Sequence, residues 1–471
     1  MRLFTAATIS LATALASAAF AQTIAPTRVG PVSQYGQLMT GKNSQGKGQI
    51  YGSCEGVKDG AEVQVRGMSL YWSLMPQAME FWSEEGITTM VNDMNIQIVR
   101  AAMATKASDN WQGEWNGIQL KGWEGDQANQ TQFMKTVVEA AIKNDIYVII
   151  DWHSHSAHQQ TESAKKFFGE MAQTYGQYDN VIFEVFNEPE QISWNDVKNY
   201  ANQVIQVIRQ YSDNLVLVGN PSWDQNPSDA IGNEVTDSKK NTAYTLHYYA
   251  NSHNWSGNYD WGGESEGSKG EKAMKAGLSV FVSEWGTADA NGGGTPDQNR
   301  NKSWQDYINK HKLSWANWSA SKISEGTAAF SDGATKTSLQ YTTSGNMVKG
   351  FLSSNPKTYT ACSVGGNNGG NNGGNNGGNN GGNNGGNNGG NGQVGIAVPE
   401  IASGFNVSLE GKVLNIASGS AKVQIFSLLG DKFMDIDNVS GAFSLASLPS
   451  GAYVVRVKGK EGSKTLRIHL Q

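Results

Sequence analysis

Between residues 62 and 354 the chain repeats one pattern: a short apolar run, a polar or Gly-bearing break, then a longer stretch with apolar positions every three or four residues. Short runs bounded by turn residues predict strands, and the three- and four-residue spacing predicts one buried helix face. Eight runs occur: Val63 to Met68, Ile96 to Val99, Ile146 to Asp151, Val181 to Phe186, Leu215 to Val218, Ala243 to Leu246, Ser279 to Val282 and Leu313 to Trp315. Between them lie stripes such as Phe133, Val137, Val138, Ala141 and Ile142, or Val197, Tyr200, Val204 and Val207. Another, over Thr161 to Gly176, carries Phe167, Phe168, Met171 and Tyr175 and stops at a glycine. Alternating strands and helices predict an α/β fold with a parallel sheet, and eight repeats predict a (β/α)8 barrel over residues 62–364.

The flanks follow other patterns. Residues 22–61 have no strong period and are rich in Gly, Ser and Gln, an extended lead-in to which the sequence gives no role. Residues 365–392 are almost entirely Gly-Gly-Asn-Asn repeats, with nothing to bury, and predict a flexible tether of roughly 30 Å average span. Residues 393–471 alternate apolar and polar positions, as in Lys422-Val423-Gln424-Ile425-Phe426, and predict a small all-β sandwich. At the other end Arg2, the apolar stretch Leu3 to Phe20 and Ala19-Phe20-Ala21 predict a signal peptide over residues 1–21. A membrane anchor would need a longer apolar run and a basic flank. The expected location is therefore outside the cell or attached to its surface.

Charge and composition narrow the partner. A net charge of −6 argues against nucleic acid, which needs a basic surface. The 14 tryptophans all precede the linker and supply flat rings able to stack on sugars as well as to fill a core. Only Cys54 and Cys362 are present, one near each end of the large domain. In an oxidising compartment they are candidates for a disulfide tying those ends together, the alternative being two free thiols.

Reactive groups of such a barrel lie at the C-terminal ends of its strands. After the successive runs stand Arg100, Trp152-His153, Asn187-Glu188-Pro189, Trp223, His247-Tyr248-Tyr249, Glu284 and Trp318. Glu188 and Glu284 each follow an apolar strand closely. Two carboxyls about 5 to 5.5 Å apart are what a retaining glycosidase needs, one protonated for the leaving oxygen and one ionised to attack the anomeric carbon.

Asn-Glu-Pro after the fourth run, Ser-Glu-Trp-Gly after the seventh, Asp-Trp-His after the third and Val-Arg-Ala-Ala-Met at the second resemble the bacterial endoglucanase branch of glycoside hydrolase family 5 over residues 62–354. The resemblance implies Glu188 as general acid/base and Glu284 as nucleophile. It implies that Arg100 and Tyr249 contact Glu284, and that His247 lies beside Glu188. Asn187 would hold the sugar 2-hydroxyl, His153 would line the same subsite, and Trp318 would lie beneath the sugar. Trp223 and Trp72 are further candidate platforms, each with a packing alternative, and Trp152 reads as a packing residue. Family members carry a Lys a few residues after the last Trp. Here Lys322 stands one position early, which leaves its contact in doubt, while Glu325 keeps its spacing as a candidate distal ligand.

Rival readings are a metal hydrolase using His153, His155 and His158, a carbohydrate-binding protein without turnover, and a β-mannanase on the same eight positions. The two glutamates make a complete mechanism with no metal or cofactor, and the expected partner of a monomeric chain is a β-glucan polysaccharide. The C-terminal unit has no Trp, which weakens a cellulose-binding role. It is similar to the sorting domains of type IX secretion, through Leu448 to Val457 and the basic stretch Lys464 to Ile468, and this implies the secretion machinery as a second partner.

Overall fold

The computed structural model describes residues 24–54, 61–106, 113–362 and, near the C-terminus, 407–410, 412–427, 432–446, 448, 451–459 and 462–470. The chain divides into two compact units, Met1–Gly369 and Gly370–Gln471. The predicted signal peptide and linker lie outside the described residues. Among those residues no helix is long and apolar enough to cross a membrane.

The first unit is a closed parallel barrel. Its strands are β1 (Arg66–Leu70), β2 (Ile98–Ala104), β3 (Tyr147–His153), β4 (Val181–Glu184), β5 (Val216–Val218), β6 (Thr242–Thr245), β7 (Val280–Gly286) and β8 (Trp315–Ala320). They pair in sequence order, and β8 with β1 and β6 with β7 close the ring. The surrounding helices are α1 (Glu84–Met94), α2 (Gln127–Lys143), α3 (Thr161–Tyr175), α4 (Trp194–Ile208), α5 (Glu266–Lys275), α6 (Gln298–His311) and α7 (Thr343–Leu352). All but α3 begin at a Ser, Thr or Asp whose side chain accepts a hydrogen bond from a backbone N–H in the first turn, which satisfies one of the donors a helix start leaves unpaired. After β5 a long helix is replaced by the short turns Pro221–Asp224 and Pro227–Ala230.

Strand alternation sorts the core into two layers. Outward residues such as Val99, Val148, Ile150, Phe183 and Val218 pack under the helices. Ile98, Ile149, Ile182, Leu217, Ala243 and Phe281 fill the lower barrel, where Val32, Leu38, Ile50, Val63 and Val65 join them. The lead-in therefore has a role the sequence did not reveal. Its hairpin, Leu38–Lys42 with Gly48–Gly52, covers the N-terminal mouth, and Tyr147 Oη donates to Gly36 O at 2.6 Å. Cys54 and Cys362 are joined as a disulfide across 308 residues of sequence, so the lead-in is fastened to the end of the unit.

Seven of the eight strands end elsewhere than the apolar runs do. β1, β2, β3, β7 and β8 continue to Leu70, Ala104, His153, Gly286 and Ala320, while β4 and β6 stop at Glu184 and Thr245. The extended ends carry polar inward side chains, which interrupt an apolar run without interrupting backbone pairing. Arg100, His153, Glu284 and Trp318 consequently lie within strands, not beyond them.

In the second unit β9 (Val407–Glu410), β10 (Val413–Ser427), β11 (Lys432–Ser444), β12 (Gly451–Gly459) and β13 (Gly462–Leu470) form a connected antiparallel five-stranded sheet. β10 pairs with β11 along its length, with β9 through its first half and with β12 through its second. Alternating residues Leu414, Ile416, Val423, Ile425, Val455 and Val457 share one core.

Candidate active site

Two-residue alternation along β2, β3 and β4 places Arg100, Asp151 and Glu184 above the apolar layer, each fully buried. Arg100 organises them. Its Nε donates to Glu184 Oε2 at 2.6 Å and its Nη1 to Glu284 Oε2 at 2.8 Å, while Nη2 reaches Asp151 Oδ2 at 3.0 Å and donates to Asn187 Oδ1. A guanidinium fork can satisfy several acceptors at fixed angles, which a lysine cannot.

Glu284 reaches this cluster because β7 is irregular. Val282 faces Trp315 and Trp285 faces Asn317, so β7 holds one residue more than β8 between those pairs. Such a bulge re-aims side chains, and here both Ser283 and Glu284 contact groups of the barrel mouth. Ser283 Oγ donates to Glu184 Oε1 at 2.5 Å. Glu284 Oε1 accepts from Tyr249 Oη at 2.7 Å.

Glu188 stands just beyond β4, and its loop is held by Trp223 N donating to Pro189 O at 2.8 Å. Its Oε1 lies 2.9 Å from His247 Nδ1, and His247 Nε2 lies 2.9 Å from Ser283 Oγ. Because the Ser283 proton is directed to Glu184, Nε2 must donate to Ser283. The His247 and Glu188 pair then shares one further proton across Nδ1 and Oε1. The Asp224 carboxyl, fully buried, lies 3.3 Å from Nε2, and its backbone oxygen accepts the His247 N–H at 2.9 Å; burial raises Asp224 well above the usual carboxylate range against the pull of His247.

These contacts set the protonation states. Burial, with the charges of Glu184 and Glu284, raises Asp151 well above the usual range against Arg100. Burial also pushes Glu184 upward, but Arg100 and His247 hold it below normal. Burial opposes a charge on His247, yet Asp224, Glu184 and Glu188 outweigh it and raise His247 well above its ordinary value. Partial burial pushes Glu188 upward, but His247 holds it below normal. Glu284 is raised by burial and by Glu188, against the pull of Arg100, His247 and Tyr249. Such groups titrate as a unit.

Aromatic rings surround this centre. Trp318 is nearly buried, parallel to His153 at 5.4 Å and 4.7 Å from Tyr71. Trp72, half-buried, lies 5.6 Å from His153, and His153 Nδ1 bonds Asp151 Oδ2 at 2.7 Å. Trp223 is exposed. It sits in a run of three non-glycine residues, Ser222, Trp223 and Asp224, with φ of 62°, 56° and 59°, each costing about 1–3 kcal/mol. That turn holds Trp223 at the surface and Asp224 against His247. Trp152 is a packing residue, fully buried against Trp123 and Phe167. Glu325 accepts from Tyr71 Oη at 2.7 Å, whereas Lys322 is engaged by Glu80 at 2.8 Å and Ala334 O at 3.1 Å.

The three histidines of the metal reading do not converge. His153 turns to Asp151, His155 lies 3.8 Å from Glu188, and His158 stacks on Phe186. A cavity of about 320 Å³ lined by Lys42, Asp237, Tyr244 and Leu278 is at the opposite end of the barrel and holds none of these groups. Sequence reading missed Asp151, Glu184, Ser283, Asp224 and Tyr71. For Asp151 and Glu184 the available signal was an acid inside an otherwise apolar run, inward by alternation.

The model of the family described as cellulase (glycosyl hydrolase family 5) matches residues 57–324. Endoglucanase Z of Dickeya dadantii is 38% identical over 293 residues, 62% of each chain. An endoglucanase of Clostridium saccharobutylicum is 33% identical over 317 residues, 64% of each. The matched segment thus spans less than two thirds of these relatives. A solved structure from Cytophaga hutchinsonii, 32% identical, superposes with a TM-score of 0.59 over 69% of this chain and 96% of that one. With the barrel, the paired glutamates and a family match over more than half its length, the chain belongs to glycosyl hydrolase family 5.

Proposed function

We propose that the protein is an exported endo-β-1,4-glucanase that hydrolyses internal bonds of cellulose or related β-glucans with retention of anomeric configuration. The observation carrying this reading is the spacing of its acids: a carboxylate oxygen of Glu188 and one of Glu284 lie within 4.8 Å. Retaining enzymes hold these groups about 5–5.5 Å apart, while inverting enzymes need about 6.5–9.5 Å to admit a water. The glucan specificity rests on the endoglucanase relatives.

The contacts divide the labour. Arg100 and Tyr249 donate to both oxygens of Glu284 and favour its ionised form, the form that bonds to the anomeric carbon. Glu188 gives its proton to the departing glycosidic oxygen, with His247 as the neighbour that can take or return a proton. Once the leaving chain has gone, the Glu188 carboxylate draws a proton from water, whose oxygen attacks the anomeric carbon and releases Glu284. Asn187, oriented by Arg100, offers its amide to the sugar 2-hydroxyl.

Export is supported by the apolar segment after Arg2 and by a disulfide, which persists in oxidising compartments. The second unit we assign to sorting or surface attachment. Deleting residues 393–471 should trap the enzyme in the periplasm, and would only weaken adsorption to insoluble substrate if the unit is instead a binding module.

The test is hydrolysis of carboxymethylcellulose, lichenan and mannan by the wild type and by Glu284→Ala, with the first anomer identified by NMR. Expected are β-glucan cleavage, the β-anomer first, and loss by several orders of magnitude in the variant. Cleavage of mannan alone would make it a mannanase, the α-anomer first would exclude retention, and binding without turnover would make it a carbohydrate-binding protein.

A further inference from the structure

Among the described tryptophans only Trp223 and Trp261 are exposed, and Trp261, at 76% of its surface, far more so. Trp261 belongs to the segment joining Tyr249 to α5, on the barrel end that carries the glutamates. It sits at the tip of a small hairpin in which Asn258 bridges Glu264 and Tyr259 N donates to Gly263 O at 2.7 Å.

Its outward position is held by structure on both sides. The indole lies parallel to the Tyr259 ring, 8° apart in plane and 5.1 Å between centroids. Tyr259 Oη donates to Glu266 Oε2 at 2.5 Å, and Glu266, buried in the first turn of α5, also accepts from Asn254 N. A Cβ at Gly263 would meet indole carbons at about 2.0 Å, so glycine leaves the ring its room. The base of the loop is tied to the catalytic centre. Arg300 donates to Ala250 O, His253 O and Asn254 Oδ1, and His253 Nδ1 accepts the backbone N–H of Tyr249.

An indole left in water forgoes about 1.5–3 kcal/mol of burial. Loop residues tied this firmly could have turned a hydrophobe inward, yet Trp261 faces out over the half-buried Tyr259 on the barrel end that carries the glutamates. Sugar rings have apolar faces of C–H groups that stack on such surfaces, and the acidic neighbours Asp260 and Glu264, the latter engaging Lys272 at 3.2 Å, do not favour an anion there.

We propose that Trp261, backed by Tyr259, is a second sugar platform that binds a stretch of β-linked glucan outside the catalytic subsites. The identity of the sugar rests on the glucanase reading above. The platform acts on long or insoluble chains, because a short oligosaccharide occupying the cleft does not extend to it.

The test uses the full chain. Adsorption to swollen cellulose is measured in the Glu284→Ala background with Trp261, Trp261→Ala and Trp261→Phe. Hydrolysis of the same material and of cellotetraose is measured with Glu284 restored. Loss of one stacking contact should weaken adsorption about three- to tenfold and slow cellulose hydrolysis to match, leave cellotetraose kcat/KM unchanged, and be largely reversed by Phe. Unchanged adsorption would overturn the proposal, as would an equal loss on cellotetraose, which would put Trp261 in the cleft. If the parent enzyme acts on mannan and not on cellulose, the glucanase reading fails, and the same comparison on insoluble mannan decides the platform separately.

Discussion

Removing a single oxygen atom from Tyr249 isolates what favours the ionised form of Glu284, the nucleophile in the function proposed above. In Tyr249→Phe the ring remains packed over Gly286, where a Cβ would come within 2.2 Å of it, so only the hydroxyl is lost. That hydroxyl donates to Glu284 Oε1 at 2.7 Å, and Glu284 is almost wholly buried. A hydrogen bond to a buried charge contributes about 1.5–3 kcal/mol, equivalent to about 10- to 150-fold in favour of the ionised carboxyl at 1.36 kcal/mol per tenfold. The sign follows from what the donor favours. Burial and Glu188 already raise Glu284, and losing Tyr249 raises it further, so the nucleophile becomes protonated at a pH where the wild type is still ionised. The measurement is kcat/KM on a soluble cello-oligosaccharide across pH, with thermal melts to show an intact fold. We expect a loss within that range on the acid side, fading as pH rises, with the acid limb displaced upward. The same fractional loss at every pH would refute the assignment, since it would make Tyr249 a substrate contact and not a control on Glu284.

The alkaline limb belongs to the proton shared by Glu188 and His247. His247 is raised well above its usual value, so the pair keeps that proton to high pH; in His247→Gln it rests on Glu188 alone, and the limb should move to lower pH in a kcat/KM profile, an unmoved limb removing His247 from the acid step. For the disulfide, chain-entropy reasoning over a separation of 308 residues sets an upper limit of about 6 kcal/mol. The Cys54→Ser/Cys362→Ser double variant should then melt roughly 5–10 °C lower by calorimetry, and a shift below about 2 °C would show that the lead-in stays docked by its apolar contacts and hydrogen bonds without the disulfide.

The barrel was legible because its lower half is apolar and its strands repeat, so all eight runs fall on observed strands. The upper half was legible only in part. Leu313 to Trp315 marks the start of β8, but Asn317 and Ser319 hid its continuation, since a strand lining a reactive mouth does not look like one. Glu188 and Glu284 could be picked out by position, yet the bulge that turns Glu284 inward is a matter of pairing with β8, which a linear pattern does not carry. The left-handed turn at Ser222 to Asp224 has no glycine to announce it, so Asp224 went unread although it lies 3.3 Å from His247 Nε2. These omissions share a cause. The visible glutamates were a pair, whereas the structure holds five carboxyls, those of Asp151, Glu184, Glu188, Asp224 and Glu284, around the Arg100 guanidinium and the His247 imidazole, most of them shut off from water, while burial and Arg100 disfavour a charge on His153 beside Asp151. Five negative charges cannot be sustained there by two positive ones. Protons must remain, and the partners decide where: Arg100 can only donate and pulls Glu184 and Glu284 toward the charged form, while His247 can donate or accept and holds a proton beside Glu188. The asymmetry proposed between Glu188 as acid and Glu284 as nucleophile, chemically the same side chain, thus rests on the buried groups behind them.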